Sequence, residues 1–246
     1  GFLMYFFDCN VSYGVIGDKN PFMPVDDVEQ VLKDMDKAGI HKAVVYRKEQ
    51  LHGADIATGN CMVSLDVKDN PRLYGCWSLV PSDTEEIQGP DQLLKSMKQD
   101  HIIGWRISPS YHRFSKKPYV LEDYFEKACR CNVPVFISTA GGYSLDDLAD
   151  ILDCFPNIGP NDRYLRPLVR KYENVYLDLS QVITAGGLED FIQWKGSHRL
   201  LFGSGYSDSY FGAGMLQVLK ANISEKDKEN IAYINMERII GGIRYD

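Results

Sequence analysis

The sequence contains no apolar run of the roughly 20 residues that a membrane-spanning helix requires. Basic residues are also scarce, since 27 lysines and arginines stand against 34 aspartates and glutamates, a formal charge of −7. Because a nucleic-acid backbone is bound by a basic surface, this balance argues against a nucleic-acid partner. No G-x-G-x-x-G follows a predicted strand, so the main signature of a dinucleotide site is missing. We therefore expect a small-molecule substrate or ligand, no nucleic acid and no membrane partner; the oligomeric state is left open.

The six cysteines lack the C-x-x-C spacing that is typical of metal and redox sites. We expect them to be buried, reduced thiols in a cytoplasmic protein. The composition, with 44% apolar and 25% charged residues, is that of an ordinary globular protein.

Apolar strands alternate with amphipathic helices along almost the whole chain. Strands are predicted over residues 4–9, 42–46, 73–80, 102–107, 133–138, 175–179 and 199–203. Helices are predicted over residues 25–38, 54–68, 91–98, 121–131, 145–154, 164–172, 188–194, 215–221 and 226–233. Apolar strands separated by helices indicate a parallel sheet covered on both faces. We predict an α/β fold, a (β/α)₈ TIM barrel forming a single domain over residues 1–246, with a doubly wound open sheet as the alternative.

One barrel unit is short. Only five residues separate the helix predicted to end near Phe155 from the helix predicted to begin near Asn161. Five extended residues span about 17 Å, which leaves nothing for turns. Either the sixth strand is vestigial or residues are missing between Ile158 and Gly159, and we favour the second interpretation.

The first strand ends in alternating polar residues, Asp8, Asn10 and Ser12, before Gly14. Side chains two residues apart in a strand share a face, so these three are predicted to point the same way. Active sites of TIM barrels lie at the carboxyl ends of the strands. The segment therefore predicts the rim of a pocket.

Seven motifs in order resemble those of the amidohydrolase-related TIM barrels, the branch that holds metal-dependent hydrolases, aromatic-acid decarboxylases and lactonases. They are FDCNVSYG (7–14), NPRLYG (70–75), GWRI (104–107), PVFIS (134–138), NVYLDLS (174–180), RLLFGSGYS (199–207) and a closing set of Ile231, Asn235, Arg238 and Ile239. The corresponding family patterns are I-D-x-H-x-H-x-G, a third-strand signature, G-x-R-I, P-V-x-I-H, N-V-Y-x-D-x-S, R-L-L-F-G-S-D-x-P and I-x-x-x-N-x-x-R-I. The resemblance implies a hydrolase of a small molecule.

The departures from these patterns fall on the family's metal ligands. Where the family carries two histidines on the first strand, this chain has Asn10 and Ser12, and Ser138 replaces the fifth-strand histidine. Gly205 replaces the eighth-strand aspartate, and the sixth-strand position falls in the shortened stretch. Amide and hydroxyl oxygens are poor zinc ligands. We therefore expect no metal, typically zinc in this family, and no other cofactor.

The remaining candidates for chemistry lie on loops at the carboxyl ends of the strands. Asp208 could replace the lost aspartate as a base, and His112, with an ordinary pKa near 6.5, suits proton transfer. Arg106 could hold a carboxylate in two-pronged fashion, although a buried partnership with Asp8 or Asp178 is an equal alternative.

Substrate contacts are predicted for five residues: Asn10, Ser12, Arg106, Ser138 and Tyr206. Two functional hypotheses remain. The first is a metal-independent hydrolase or lactonase acting on a small, carboxylated molecule. The second is a catalytically inactive barrel that binds a ligand or a partner.

Overall fold

The computed structural model describes residues 4–16, 24–52, 55–154, 159–161, 166–181 and 186–245. Within these residues, eight parallel strands lie in sequence order around a barrel. They are β1 (Phe7–Tyr13), β2 (Lys42–Arg47), β3 (Leu73–Leu79), β4 (Ile102–Ile107), β5 (Val135–Ser138), β6 (Gly159–Asn161), β7 (Leu177–Asp178) and β8 (Leu200–Leu201). Strands β1 to β6 form one six-stranded sheet, and β7 pairs with β8.

The barrel closes between its last and first strands. The backbone N–H of Cys9 donates to the carbonyl of Phe202 at 2.9 Å, and the N–H of Ser12 donates to the carbonyl of Tyr206 at 2.5 Å. Val11 and Tyr206 form a parallel bridge at the same seam. The predicted (β/α)₈ TIM barrel is confirmed.

Helices cover the outside of the barrel. Their bounds are α1 (Val28–Ala38), α2 (Glu49–His52), α3 (Ile56–Val67), α4 (Pro90–Gln99), α5 (Pro109–His112), α6 (Glu122–Cys131), α7 (Leu145–Cys154), α8 (Arg166–Lys171), α9 (Gly187–Lys195), α10 (Phe211–Lys220), α11 (Glu225–Glu229) and α12 (Asn235–Gly241). Short 3-10 turns lie at Ser82–Thr84, Pro118–Leu121, Thr139–Gly141 and Leu179–Gln181.

Local sequence signals set the ends of the first long helix. The Asp27 carboxylate accepts from the N–H of Gln30 at 2.8 Å, which satisfies an otherwise unpaired donor in the first turn. Gly39 ends the helix with φ of 80°, a left-handed conformation that glycine adopts without a Cβ penalty. Val31 and Met35 lie on its buried face against the barrel.

The observed elements differ from the predicted ones at both ends of the chain. Strand β1 spans Phe7–Tyr13 rather than residues 4–9. Strands β7 and β8 have two hydrogen-bonded residues each, fewer than predicted, and α10 begins at Phe211 rather than at residue 215. The last helical segment runs unbroken from Glu225 to Gly241, because a π-helical stretch, Asn230–Ile234, joins α11 to α12. Helices α2 and α5, four residues each, were not predicted.

The sixth strand is short, as the spacing predicts. Its three residues pair only with the upper half of β5, since Phe136 lies opposite Gly159 and Ser138 opposite Asn161. Residues 155–158 lie outside the described residues. The predicted gap between Ile158 and Gly159 therefore borders on them.

The hydrophobic core includes Trp105, Phe7 and Leu73, which are almost fully buried, and Trp105 packs edge-on against Tyr124 of α6. Within the described residues, no helix is long and apolar enough to cross a membrane. No disulfide forms among the six cysteines.

Candidate functional site

The polar residues of β1 form hydrogen bonds with β7 and with the segments after β7 and β8, although the strand is irregular between Asp8 and Val11 and strict alternation does not hold there. The Asp8 carboxylate accepts at Oδ1 from the N–H groups of Asn10 and Ser204, both at 3.0 Å. Asp8 is fully buried, and this burial raises the pKa of its carboxyl to about 7, opposed in part by the hydrogen bonds from Ser204 and Asn10. The barrel seam therefore contains a carboxyl group that can hold a proton near neutral pH.

Asn10 ties the first strand to the seventh. Its Nδ2 donates to Asp178 Oδ2 at 2.9 Å and to Ser180 Oγ at 3.1 Å. Asp178 also accepts from the backbone N–H of Ser180 at 2.7 Å and from its hydroxyl at 3.0 Å. A Cβ on Gly203 would lie 2.0 Å from Asp178 Oδ1, so this carboxylate occupies the space beside a glycine that has no side chain. Asn10 is thus committed to hydrogen bonding at the position where the family carries a metal ligand.

Arg106 completes this cluster from β4. Its Nη2 donates to Asn10 Oδ1 in a long hydrogen bond of 3.4 Å, and its Cζ lies 3.8 Å from the centre of the Tyr46 ring and 5.5 Å from that of Phe136. The residue is 8% exposed, and its buried Nε has no hydrogen-bond partner.

Within the described part of the chain, Arg106 forms no ion pair. The alternative prediction, a salt bridge with Asp8 or Asp178, is therefore not what the structure has. The guanidinium is held by aromatic faces and one amide rather than by a carboxylate.

Ser12 contacts the loop that follows β8. Its hydroxyl donates to the carbonyl of Tyr206 at 3.2 Å and accepts from the N–H of Ser207 at 3.2 Å. The Ser12 hydroxyl is therefore used to fix this loop against the barrel.

Tyr206 is predicted to contact substrate, and its side chain is buried between two helices. Its side chain is 2% exposed and its hydroxyl donates to Asp34 of α1 at 2.7 Å, while its ring stacks on Phe211 of α10 with centres 4.2 Å apart. The side chain thus points outward between helices, and only its backbone carbonyl faces the first strand. The alternation of a strand fails here because β8 has already ended at Leu201.

Asp208 lies on the same loop and forms an ion pair that the sequence did not reveal. Its Oδ1 lies 3.0 Å from the ammonium of Lys48, directly after β2. The Lys48 side chain is 9% exposed, whereas that of Asp208 is 70% exposed. Lys48 lies at the carboxyl end of its strand, and that position was the one available signal for it.

His112 lies at the end of α5 and faces the segment after β2. Its Nε2 is 2.8 Å from the carbonyl of Gln50, and burial lowers the pKa of the imidazole, so the ring is neutral at pH 7. The structure therefore brings His112 and Asp208 to two sides of the same short segment, Lys48 to Gln50, without a direct contact between them in the described residues.

Ser138 stands at the end of β5, half-buried, and its hydroxyl accepts from the N–H of Ala140 at 3.2 Å. The loop after it is held close to the loop after β4. A Cβ on Gly142, which has φ of +107°, would lie 1.8 Å from the hydroxyl of Ser110. Ser138 thus lies at the predicted end of the barrel but makes no contact with Asn10 or Arg106 that the structure records.

Within the described residues, no group of three or more histidine, cysteine, aspartate and glutamate side chains is arranged to hold a metal ion. Asn10 and Ser12 supply a neutral amide and a hydroxyl, and both are engaged by protein partners. A Cβ on Gly205 would lie 3.4 Å from Ser180 Cβ, in van der Waals contact with the residue that Asn10 bonds.

These features define a (β/α)₈ barrel whose polar residues gather at the carboxyl ends of its first, fourth, seventh and eighth strands. A family model described as "Amidohydrolase" matches residues 9–241. The chain belongs to the amidohydrolase family.

Solved structures with the same fold cover nearly the whole chain. A 2,6-dihydroxybenzoate decarboxylase from Rhizobium has a TM-score of 0.76 at 14% identity, covering 97% of this chain and 99% of that one. A 5-carboxyvanillate decarboxylase from Sphingomonas paucimobilis has a TM-score of 0.72 at 14% identity, covering 98% and 100%. A Pseudomonas putida protein assigned as a 2-pyrone-4,6-dicarboxylic acid hydrolase has a TM-score of 0.70 at 13% identity, covering 98% of each chain. At such identities the likeness shows the fold alone. No curated protein matches the sequence.

Proposed function

We propose that this amidohydrolase-family barrel binds a small carboxylated molecule at the cluster of Asn10, Arg106 and Asp178. The observation that carries the proposal is the buried guanidinium of Arg106, whose partners among the described residues are the Asn10 amide and two aromatic rings rather than a carboxylate. A buried charge without a counter-ion is costly, and a ligand carboxylate offers two acceptors in the geometry of a guanidinium. The names of the structural neighbours, two decarboxylases of carboxylates and a protein assigned to a dicarboxylic acid, support the same substrate class.

We propose further that the protein works without the divalent metal of its family. The chemistry of the donors supports this, since zinc takes nitrogen, thiolate or carboxylate ligands and the first strand offers an amide and a hydroxyl instead. Both groups already hold the barrel seam together through Asp178, Ser180 and Ser207.

Hydrolysis of an ester or lactone is the reaction we propose, with Asp208 as the base. A carboxylate can take a proton from the water that attacks a carbonyl carbon. Asp208 lies on the loop after β8 and is largely exposed, so water reaches it. His112 is less suited, because its Nε2 is engaged by the Gln50 carbonyl.

Binding without catalysis is the second candidate. It is favoured by the ion pair between Asp208 and Lys48, which gives the carboxylate a structural partner. It is favoured also by the lack of any recorded contact between Asp208 and Arg106 within the described residues.

One set of measurements separates these functions. Protein purified without chelator is expected to contain well below one equivalent of transition metal per chain, and a stoichiometric metal would overturn the metal-free proposal. Turnover of a panel of carboxylated lactones and esters is expected to be lost in Asp208→Asn and kept in Asp146→Asn, which changes an exposed aspartate of α7. Turnover that survives Asp208→Asn removes that residue from the chemistry. Saturable binding of these compounds with no turnover supports the second candidate.

A further inference from the structure

A cavity of about 290 Å³ lies in the amino-terminal half of the barrel, on the side opposite to the strand ends. One wall is the segment before and at the start of β5, from Asn132 to Ile137, and another is the segment before β7, with Asn174 and Tyr176. The floor is formed by Met236, Arg238, Ile239 and Gly242 of the carboxyl-terminal helix and its end. Its size is at the lower limit of the roughly 300–1,000 Å³ of ligand sites, so it suits a small molecule.

The cavity runs from the surface to the candidate site. Its outer residues Asn132, Asn174 and Arg238 are exposed, whereas its inner residues Cys9 and Arg106 are buried. The opening is thus on the amino-terminal face of the barrel, and the inner end lies beneath the guanidinium that Asn10 contacts from above.

The charges of the lining favour an anion. Among the described residues of its lining, Arg106 and Arg238 are positively charged and Asp178 is negatively charged. The Asp178 carboxylate already accepts hydrogen bonds from Asn10 and Ser180, whereas Arg106 keeps a buried Nε with no partner. The middle of the cavity is apolar or aromatic, with Phe136, Tyr176 and Leu201. An anionic head on an apolar body matches this order of residues.

We infer that this cavity is a binding site for a small monocarboxylate with a flat apolar body, which enters through the amino-terminal face and places its carboxylate on Arg106. The inference rests on the proposed function, because it uses the same arginine, and it adds where the body of the ligand lies and from which face it arrives. The floor is contributed by α12, directly after the π-helical stretch Asn230–Ile234, a type of helix irregularity that is common at functional sites.

The probe for this site is benzoate, with benzamide as its neutral counterpart. Isothermal titration is expected to show saturable binding of benzoate and at least tenfold weaker binding of benzamide. Ile239→Phe, which places a larger side chain in the floor, is expected to weaken benzoate binding at least tenfold. Ile240→Phe on the same helix is the matched control, since Ile240 packs against the core outside the cavity lining, and it is expected to bind as the wild type does. Arg106→Met is expected to weaken binding at least as much as Ile239→Phe.

The outcomes separate the inference from the proposed function. If Ile239→Phe binds benzoate as the wild type does while Arg106→Met does not, the ligand uses the arginine from the other face and the inference is wrong, whereas the proposed function stands. If Arg106→Met binds normally, the anchor shared by both is wrong. Equal binding of benzamide and benzoate overturns the anionic class, and no binding of benzoate overturns the cavity as a carboxylate site. If circular dichroism shows that Ile239→Phe or Ile240→Phe is unfolded, the same comparison is made with the milder pair Ile239→Met and Ile240→Met.

Discussion

The unfolding free energy of this protein should depend on pH through the protonation of Asp8. The isosteric substitution Asp8→Asn should remove this dependence. Asp8 is fully buried and its pKa is about 7 in the folded protein, against 3.8 for the unconstrained group. Between these values the folded state holds a proton that the unfolded state releases. The stabilisation is therefore present below the unfolded pKa and is lost as the pH rises through the folded pKa.

The magnitude follows from the difference between the two pKa values. Each pH unit in this window costs about 1.4 kcal/mol of unfolding free energy for one proton. From about pH 5 to about pH 8 the wild type should thus lose roughly 2–3 kcal/mol relative to Asp8→Asn, as an order-of-magnitude figure for a buried group. The asparagine keeps the acceptor for the N–H groups of Asn10 and Ser204 and adds a pH-independent cost, so only the slope against pH is diagnostic.

Urea denaturation followed by tryptophan fluorescence at several pH values measures this slope. As the pH falls toward the unfolded pKa of Asp8, the difference in unfolding free energy between the two proteins should become constant. As the pH rises above that value, the unfolding free energy of the wild type should fall relative to that of Asp8→Asn. Other titrating groups, such as His112, are common to both proteins and cancel in the difference. Parallel stability curves for wild type and Asp8→Asn over the whole range would refute the assignment of a raised pKa to Asp8.

Three further predictions test the site and its neighbours. Gly203→Ala should destabilise the protein by about 1–3 kcal/mol because its Cβ would overlap the Asp178 carboxylate, whereas Gly212→Ala, with no atom within 4 Å of the added Cβ, should not; thermal denaturation compares them. Tyr206→Phe should cost about 1–2 kcal/mol through the lost hydrogen bond to Asp34 and leave ligand affinity unchanged in titration. Dialysis against a chelator should leave the melting temperature unchanged, and a fall of several degrees would indicate a structural metal.

The fold could be predicted because its signals are local. Strands β2 to β5 are apolar runs, whereas β1 was predicted over residues 4–9 and extends through polar residues to Tyr13. The five-residue spacing before Asn161 left a vestigial sixth strand and missing residues as alternatives, and the described residues contain a strand of three residues. The lengths of strands β7 and β8 were overestimated. The apolar residues that flank them, such as Val175 and Phe202, are buried but do not belong to the hydrogen-bonded strands.

The site could be predicted only in part from strand alternation. Arg106 lies on a regular stretch of β4 and reaches Asn10 as expected. Asn10 lies where β1 is irregular against β2, between Asp8 and Val11, yet its amide still contacts Arg106 and Asp178. Tyr206 lies beyond the end of β8, so no alternation fixes its direction, and its side chain turns outward to α1. The pairing of Lys48 with Asp208 joins residues 160 positions apart, and no local pattern carries such information.

The seam between the first and last strands has a consequence for how the chain folds. Neighbouring strands of the six-stranded sheet pair residues about 30 positions apart, as Asp8 with Ala43, whereas the bond from Ser204 to Asp8 spans 196 positions. Contacts between distant parts of a chain form slowly, because the entropy of closing a long loop is lost before the contact rewards it. An open sheet of the early strands should therefore form first, and the hydrogen bonds of Asp8, Asn10 and Ser12 should be among the last to appear, so that the residues of the candidate site also complete the ring.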